Sequence, residues 1–184
     1  MRILIAVLVT LPLTGPTFAR DGTAGPEEVV RDYFHSLRDH GFAGVVEFMH
    51  PDEMSRFKAM LVPLIEADAQ SGERDLLDSI LGPKASLADV KSMSPKDFMR
   101  ACMSMIDAQL DQTRLSFDKV DVLGSVKEDD ILHVVSRLRF GVDDIVVTQM
   151  EVISLRQYKG DWKLLLTGEM EGLAQALRAR DNRT

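Results

Sequence analysis

The stretch from Ile131 to Leu166 decides the fold, and it reads ILHVVSRLRF GVDD IVVTQMEVISLRQY KG DWKLLL. Apolar and polar side chains alternate along 131–140, and 145–158 is long and rich in β-branched residues, which is typical of strands. The gaps at 141–144 and 159–160 have the size of hairpin turns. A similar alternation at 115–126 precedes them, and a short apolar segment at 162–167 follows. The pattern therefore predicts a four-stranded antiparallel meander.

The residues before the meander have helical periodicity instead. Pro26 begins a helix that ends at Gly41, since proline suits the first helical position and glycine the end. A second segment at 42–49 and a helix at 52–67 follow, the latter with a kink or an early end at Pro63. Short helices are expected within 76–81 and 87–93, a longer one from Ser94-Pro95 to about Gln112, and a last one at 169–180. The order predicts an α+β fold, with N-terminal helices packed on a curved four-stranded antiparallel sheet and a C-terminal helix.

Composition excludes several classes of protein. The chain has 184 residues, of which 45% are hydrophobic and 28% charged, and its formal net charge is −7. One domain with one sizeable core is the default at this length, and the chain is too apolar to be disordered. The negative field argues against nucleic acid as a partner. A single cysteine can form neither an internal disulfide nor a cysteine-based zinc site.

The N-terminus has the pattern of a secretory signal peptide. Arg2 precedes an apolar run of about a dozen residues, and Thr17-Phe18-Ala19 offers small residues for cleavage after Ala19. A retained N-terminal anchor is the alternative. We expect residues 1–19 to be the signal peptide and 20–25 a flexible leader. No later stretch is long and apolar enough to span a membrane, so the sequence predicts an exported protein, periplasmic or secreted.

Three segments together resemble the nuclear transport factor 2-like family, which has a cystatin-like or ketosteroid isomerase-like α+β cone. They are Pro26–Phe34, Val45–Pro51 and the Lys159-Gly160-Asp161-Trp162-Lys163-Leu164 turn. The resemblance implies one domain over 26–184 with a helical insertion at about 68–112. It also implies a pocket between sheet and helices and frequent homodimers through the sheet. Its functions range from isomerase or dehydratase to binding module, and fold alone does not choose among them.

One strand face carries the candidate functional residues. Counting alternate positions around a turn centred near Val142-Asp143 places Arg137 opposite or diagonal to Gln149 and Glu151. The same count gives a candidate pocket or interface formed by His133, Arg137, Arg139, Glu151 and Trp162. In a pocket, His133 could act as a general base with Glu151 as its carboxylate partner and Arg137 as an anion clamp. The alternative is an exposed face or a dimer interface joined by cross-strand ion pairs.

Two further clusters have structural explanations. Met99, Cys102 and Met103 could supply soft ligands for monovalent copper, but their spacing is that of a buried helix face, so we expect core packing and no metal. His50 and Asp52 lie at a helix junction and are expected to form a capping and turn motif rather than a metal site.

The sequence therefore predicts an exported, non-enzymatic binding or interaction module, with no cofactor and with an unknown small molecule or protein as its partner. Two alternatives stay open. One is an enzyme of the isomerase or dehydratase type that uses a His–carboxylate pair. The other is a structural homodimer that uses the sheet face.

Overall fold

The computed structural model describes residues 24–72, 74–110, 115–142, 145–166 and 168. The helices are α1 (Pro26–Gly44), a short 3₁₀ helix (Val45–Phe48), α2 (Pro51–Ser71), α3 (Asp75–Leu81), α4 (Leu87–Ser92) and α5 (Pro95–Leu110). The strands are β1 (Leu115–Glu128), β2 (Ile131–Val142), β3 (Ile145–Tyr158) and β4 (Asp161–Leu164). The predicted α+β class is confirmed. The predicted signal peptide, most of the leader and the predicted helix at 169–180 lie outside the described residues.

The strands form one antiparallel sheet in the order β1-β2-β3-β4, as the meander prediction requires. In the β2–β3 hairpin Val142 pairs with Ile145, and the ladder continues to Ile131 opposite Arg156. The β1–β2 ladder shifts register twice, between Phe117 and Lys119 and between Val122 and Gly124. Such bulges bend a strand and raise its twist, so they curve the β1 side of the sheet.

Helix α1 packs on one side of the sheet, which we call the inner face, and the opposite side is the outer face. From β2 the inner face presents Val134 and Leu138, and from β3 it presents Ile153 and Leu155, all of them buried. These side chains form the first core with Val29, Val30, Phe34 and Leu37 of α1 and with Val45 of the 3₁₀ helix. Burial of each such side chain contributes roughly 1.5–3 kcal/mol, so the inner face holds α1 against the sheet.

The helices α2 to α5 form a second core. Its buried members are Val46, Met54, Phe57, Ile65, Leu77, Val90, Phe98, Met99, Cys102 and Met103. The stretch at 68–112, expected to be helical, supplies α3, α4 and α5 to this core. Pro63 does not end α2, which runs on to Ser71, and the proline itself is exposed. Helix α1 contacts α5 as well as the sheet, so it joins the two cores.

The junction between the cores depends on a kink in α1 at Gly41, where φ is +67° and ψ is −167°. Asp107 of α5 fills the space beside this glycine, and its carboxylate accepts from the Phe42 N–H at 2.7 Å and the Ala43 N–H at 2.9 Å. A Cβ on Gly41 would lie 2.6 Å from an oxygen of that carboxylate. The backbone conformation is one that essentially only glycine adopts. Both the kink and the close approach of α5 therefore require glycine here.

A second link joins the 3₁₀ helix to α5 and β4 through Glu47. Its carboxylate accepts from Lys96 at 2.6 Å and from Arg100 at 2.7 Å, and Lys163 of β4 donates to its backbone carbonyl at 3.0 Å. The hydrogen bond from Lys96 holds the pKa of the Glu47 carboxyl below its ordinary value. Because the carboxylate is exposed, the pair contributes little to stability by itself, and its main effect is on alignment.

We expect Gly41→Ala to lower the free energy of unfolding by about 3 kcal/mol, from backbone strain together with the clash against Asp107. Gly72→Ala is the matched control, because Gly72 also has a positive φ of +88° but nothing lies within 4 Å of an added Cβ. That substitution should cost ~1 kcal/mol, the strain alone. Urea unfolding followed by circular dichroism measures both, and equal losses would contradict the proposed contact.

Candidate functional site

The register of the β2–β3 hairpin separates the predicted site residues. Arg137 pairs with Met150 and Ser136 pairs with Glu151. Paired residues project to the same face of a sheet, so His133, Arg137 and Arg139 lie on the outer face, whereas Glu151 lies on the inner face. The predicted grouping of these four residues is therefore wrong. Pairing Arg137 with Gln149 or Glu151 would centre the hairpin on residue 143 or 144, whereas the observed hairpin is centred between these two positions. This half-residue difference moves every β3 side chain to the opposite face.

Trp162 also belongs to the inner face. It pairs with Gln157 and packs, partly buried, against the first core. It therefore shares a face with Glu151, as the count predicted, but is separated from His133 and the two arginines. The other face of β2, with Leu132, Val134 and Leu138, is the one covered by α1.

On the outer face, His133 contacts Glu128 and Ser154 instead of Glu151. Its Nε2 lies 3.0 Å from Glu128 Oε2 and its Nδ1 lies 2.9 Å from Ser154 Oγ. With Nε2 donating to the carboxylate, Nδ1 accepts from the serine hydroxyl. Ser154, His133 and Glu128 follow one another as in the catalytic triad of a hydrolase. A hydrolase also needs free N–H donors that stabilise the oxyanion of the transition state. Ser154 lies within β3 between two paired strands, where backbone groups serve the sheet, as its carbonyl does for Leu165 N–H.

The outer face also carries an apolar patch, which we call the outer patch. Its members are Val126, Val135, Met150 and Val152. Val126 is 62% exposed, Val152 55% and Met150 54%. Scattered exposed apolar residues are ordinary, but a contiguous set on one flat surface is typical of an interaction site. In the described ranges, no helix covers these side chains.

Opposite charges lie at the two ends of the outer patch. At one end, Lys119 pairs across the strands with Arg139, and Asp121 pairs with Arg137. Lys119 Nζ is 2.8 Å from the Asp121 carboxylate, whereas Arg137 and Arg139 are exposed and make no ion pair or hydrogen bond with the part of the chain that the structure describes. At the other end, the β1–β2 turn carries three successive acids, 128–130. Arg156 pairs with Asp130 at 2.9 Å there.

The inner face contains a small polar group beneath α1. Glu151 lies there beside Ser136 and accepts from Gln149 at 2.5 Å. Ser136 Oγ is fully buried and has no hydrogen-bond partner among the described residues. Burial, together with the negative charge of Glu151, raises the pKa of Tyr33 to about 12. These groups come from three elements, so sequence reasoning could find Glu151 but not its neighbours.

The sulfur-containing candidates are part of the second core. Met99 is 2% exposed, Cys102 3% and Met103 5%. Burial raises the pKa of the Cys102 thiol to about 12, so the thiolate that a soft metal would bind is disfavoured. Among the described residues, no group of three histidine, cysteine or acidic side chains could hold a metal ion.

His50 is the N-cap of α2, which confirms the capping interpretation but with the histidine as the cap. Its Nδ1 accepts from the Asp52 N–H at 3.2 Å, and its ring is 3% exposed and stacks edge-on against Tyr158. Asp52 supplies the N–H and a negative charge in the first turn.

A cavity of about 600 Å³ lies where α1 and α5 end and β1 begins. Leu37, Phe42 and Phe117 line it, together with His40 and Asp107. A neighbouring cavity of about 250 Å³ extends along α1 and β1. The walls come from segments far apart in the chain, so no local motif marks either cavity. The carboxylate of Asp107 already accepts hydrogen bonds from two backbone N–H groups, so we do not assign it a ligand-binding role in the larger cavity.

Comparison with known proteins corrects the family assignment. No family model and no curated protein matches this chain. A solved structure that does match is the solution structure of a SEC-C motif containing protein from Rhodopseudomonas palustris. It is 18% identical, the match covers 77% of this chain and 75% of that one, and the TM-score is 0.41. The predicted nuclear transport factor 2-like membership is wrong, because the matching structure has a different fold. At this TM-score the likeness says nothing about function.

No helix in the described ranges is long and apolar enough to cross a membrane.

We expect Tyr33 to remain un-ionised until about pH 12, since burial and the charge of Glu151 both disfavour phenolate. The unfolded chain releases this proton near pH 10, so folding is stabilised below pH 10 and this contribution is lost as the pH rises toward 12. Absorbance at 295 nm during alkaline titration measures the two tyrosines, and Tyr33→Phe leaves only the signal of Tyr158. A Tyr33 transition near pH 10 in folded protein would contradict the packing described.

Proposed function

We propose that this chain is an exported interaction module, without catalytic activity of its own, that binds a protein partner through the outer face of its sheet. The observation that carries the proposal is the outer patch, in which three neighbouring apolar side chains, Val126, Met150 and Val152, are each more than half exposed. Export rests on the signal-peptide pattern of residues 1–19.

The shape of the outer face favours a protein over a small molecule. Small-molecule sites are concave and bury most of the ligand, whereas an open sheet offers a broad and nearly flat surface. Protein interfaces combine an apolar centre with a polar rim. The outer patch has this arrangement, since Arg137 and Arg139 flank it at one end and the acidic turn at the other.

Arg137 and Arg139 also indicate the chemistry of the partner. Arginine is enriched in the centre of protein interfaces, because its planar guanidinium forms bidentate bonds with carboxylates. Neither residue uses its donors within the described residues. A partner surface that carries carboxylates beside apolar side chains would satisfy both arginines and cover the outer patch.

The structure separates His133 and Glu151, the two residues on which the enzymatic alternative depends. A general base and its carboxylate must lie within hydrogen-bond reach, and His133 and Glu151 lie on opposite faces of the sheet. Glu128 replaces Glu151 as the partner of His133, but that carboxylate is at an exposed turn. No single observation on the outer face favours an isomerase or a dehydratase.

Site-specific photo-crosslinking in cells tests the proposal. A benzoylphenylalanine placed at Val152 should give a covalent protein adduct, because the probe would lie inside the interface. The same probe at Ala59, an exposed residue of α2, is the matched control and should give none.

Met150→Glu in the Val152 probe protein should abolish that adduct, because it places a charge in the apolar centre. Thermal unfolding of the variant checks that the fold is kept. Absence of an adduct from Val152, or an equal adduct from Ala59, would refute the proposed function.

A further inference from the structure

We propose that the partner on the outer face is a second copy of this chain, stacked face to face with its strands running in the opposite direction. This inference rests on the proposed function and names its partner. It follows from the positions of the charges relative to the centre of the outer patch.

The middle of the outer patch is Val135 of β2, which pairs with Val152 of β3 and with Gly124 of β1. Arg137 and Arg139 lie two and four residues from Val135 toward one end of β2. Ile131, which pairs with Glu128, lies four residues from Val135 toward the other end. The cationic and acidic groups are therefore nearly equidistant from the centre of the face.

A two-fold axis through this centre, in the plane of the interface and perpendicular to the strands, brings the two ends together. It places Val135 and Val152 of one copy against the same residues of the other, as isologous association requires. It also places Arg139 of one copy over the level of Glu128 in the other, and the contact occurs twice. Two aligned sheets pack about 10 Å apart, within reach of arginine and glutamate side chains from both surfaces.

The charge balance of the two ends supports this orientation. Lys119, Arg137 and Arg139 face a single carboxylate, Asp121, at one end. Glu128 and the two aspartates that follow it outnumber Arg156 at the other. Stacking with the strands in the same direction would instead place arginines over arginines, and like charges in contact oppose association.

The size of the face predicts a weak dimer. With the axis at Val135, β2 overlaps its partner over 131–139, so three strands of about nine residues span roughly 30 Å by 15 Å, on the order of 450 Å² for each copy. Stable interfaces bury about 800 Å² for each partner, so the overlapping area is smaller than that of a stable interface. We expect a dissociation constant on the order of 10 µM, in keeping with the exposed charges at both ends.

Sedimentation velocity of the mature chain, from about 1 to 500 µM, tests the proposal with two charge-reversal variants. One is Arg137→Glu with Arg139→Glu, and the other is Glu128→Lys with Asp130→Lys. Each variant alone carries one sign of charge at both ends, so its dimer should weaken at least tenfold. An equimolar mixture should associate at least as well as the wild type, because each contact is again between opposite charges. Circular dichroism confirms that both variants fold.

A monomer at all concentrations would overturn the inference, as would two variants that each dimerise like the wild type. A mixture that does not associate would overturn the stacked arrangement of charges. The crosslinking experiment separates this failure from failure of the proposed function. A Val152 adduct with a different protein, together with a monomeric purified chain, would refute self-association and leave the interaction module standing.

Discussion

The register of the β2–β3 hairpin is the constraint on which the rest of the structure depends. With Val142 opposite Ile145, Ile153 and Leu155 face α1 and are 7% and 0% exposed. A shift of one residue would bury Val152 and Ser154 instead and expose those two large side chains. Burial of each contributes roughly 1.5–3 kcal/mol, so the observed register is strongly preferred over its neighbour. The same choice places Met150 and Val152 on the outer face and creates the outer patch.

Helix α1 connects the inner face of the sheet, which the register defines, to the other helices of the chain. One side of α1 covers the inner face, and its kinked C-terminal end is held by Asp107 of α5. Glu47 connects the next turn to α5 and β4. The described helices are thereby confined to the inner side of the sheet, and none of them covers the outer face. The proposed interaction surface is thus a consequence of packing all the described helices on one face.

The sequence was sufficient to predict the elements of the described residues and their order. Alternation at 131–140 and the β-branched run at 145–158 identify strands, and proline, glycine and capping residues mark the helix ends. The sequence could not predict which face of the sheet each β3 side chain occupies. The GVDD segment allows turn centres that differ by half a residue, and side-chain direction reverses between them. Val142 is apolar and belongs to the strand, which shortens the turn. The Asp107 contact joins residues 65 positions apart and leaves no local pattern.

Chemical interpretation was limited by the same ambiguity. The buried sulfur stripe of α5 was recognisable, because helical spacing does not depend on a turn. His133, Arg137 and Arg139 were correctly placed together, because they belong to one strand. Glu151 was joined to them by a count across the hairpin, and only the observed pairing with Ser136 removes it. Nuclear Overhauser contacts between backbone protons of β2 and β3 in isotope-labelled protein test this register most directly. We expect cross-strand contacts of Arg137 with Met150 and of Val135 with Val152, whereas contacts that place Arg137 directly opposite Gln149 or Glu151 would contradict the described register.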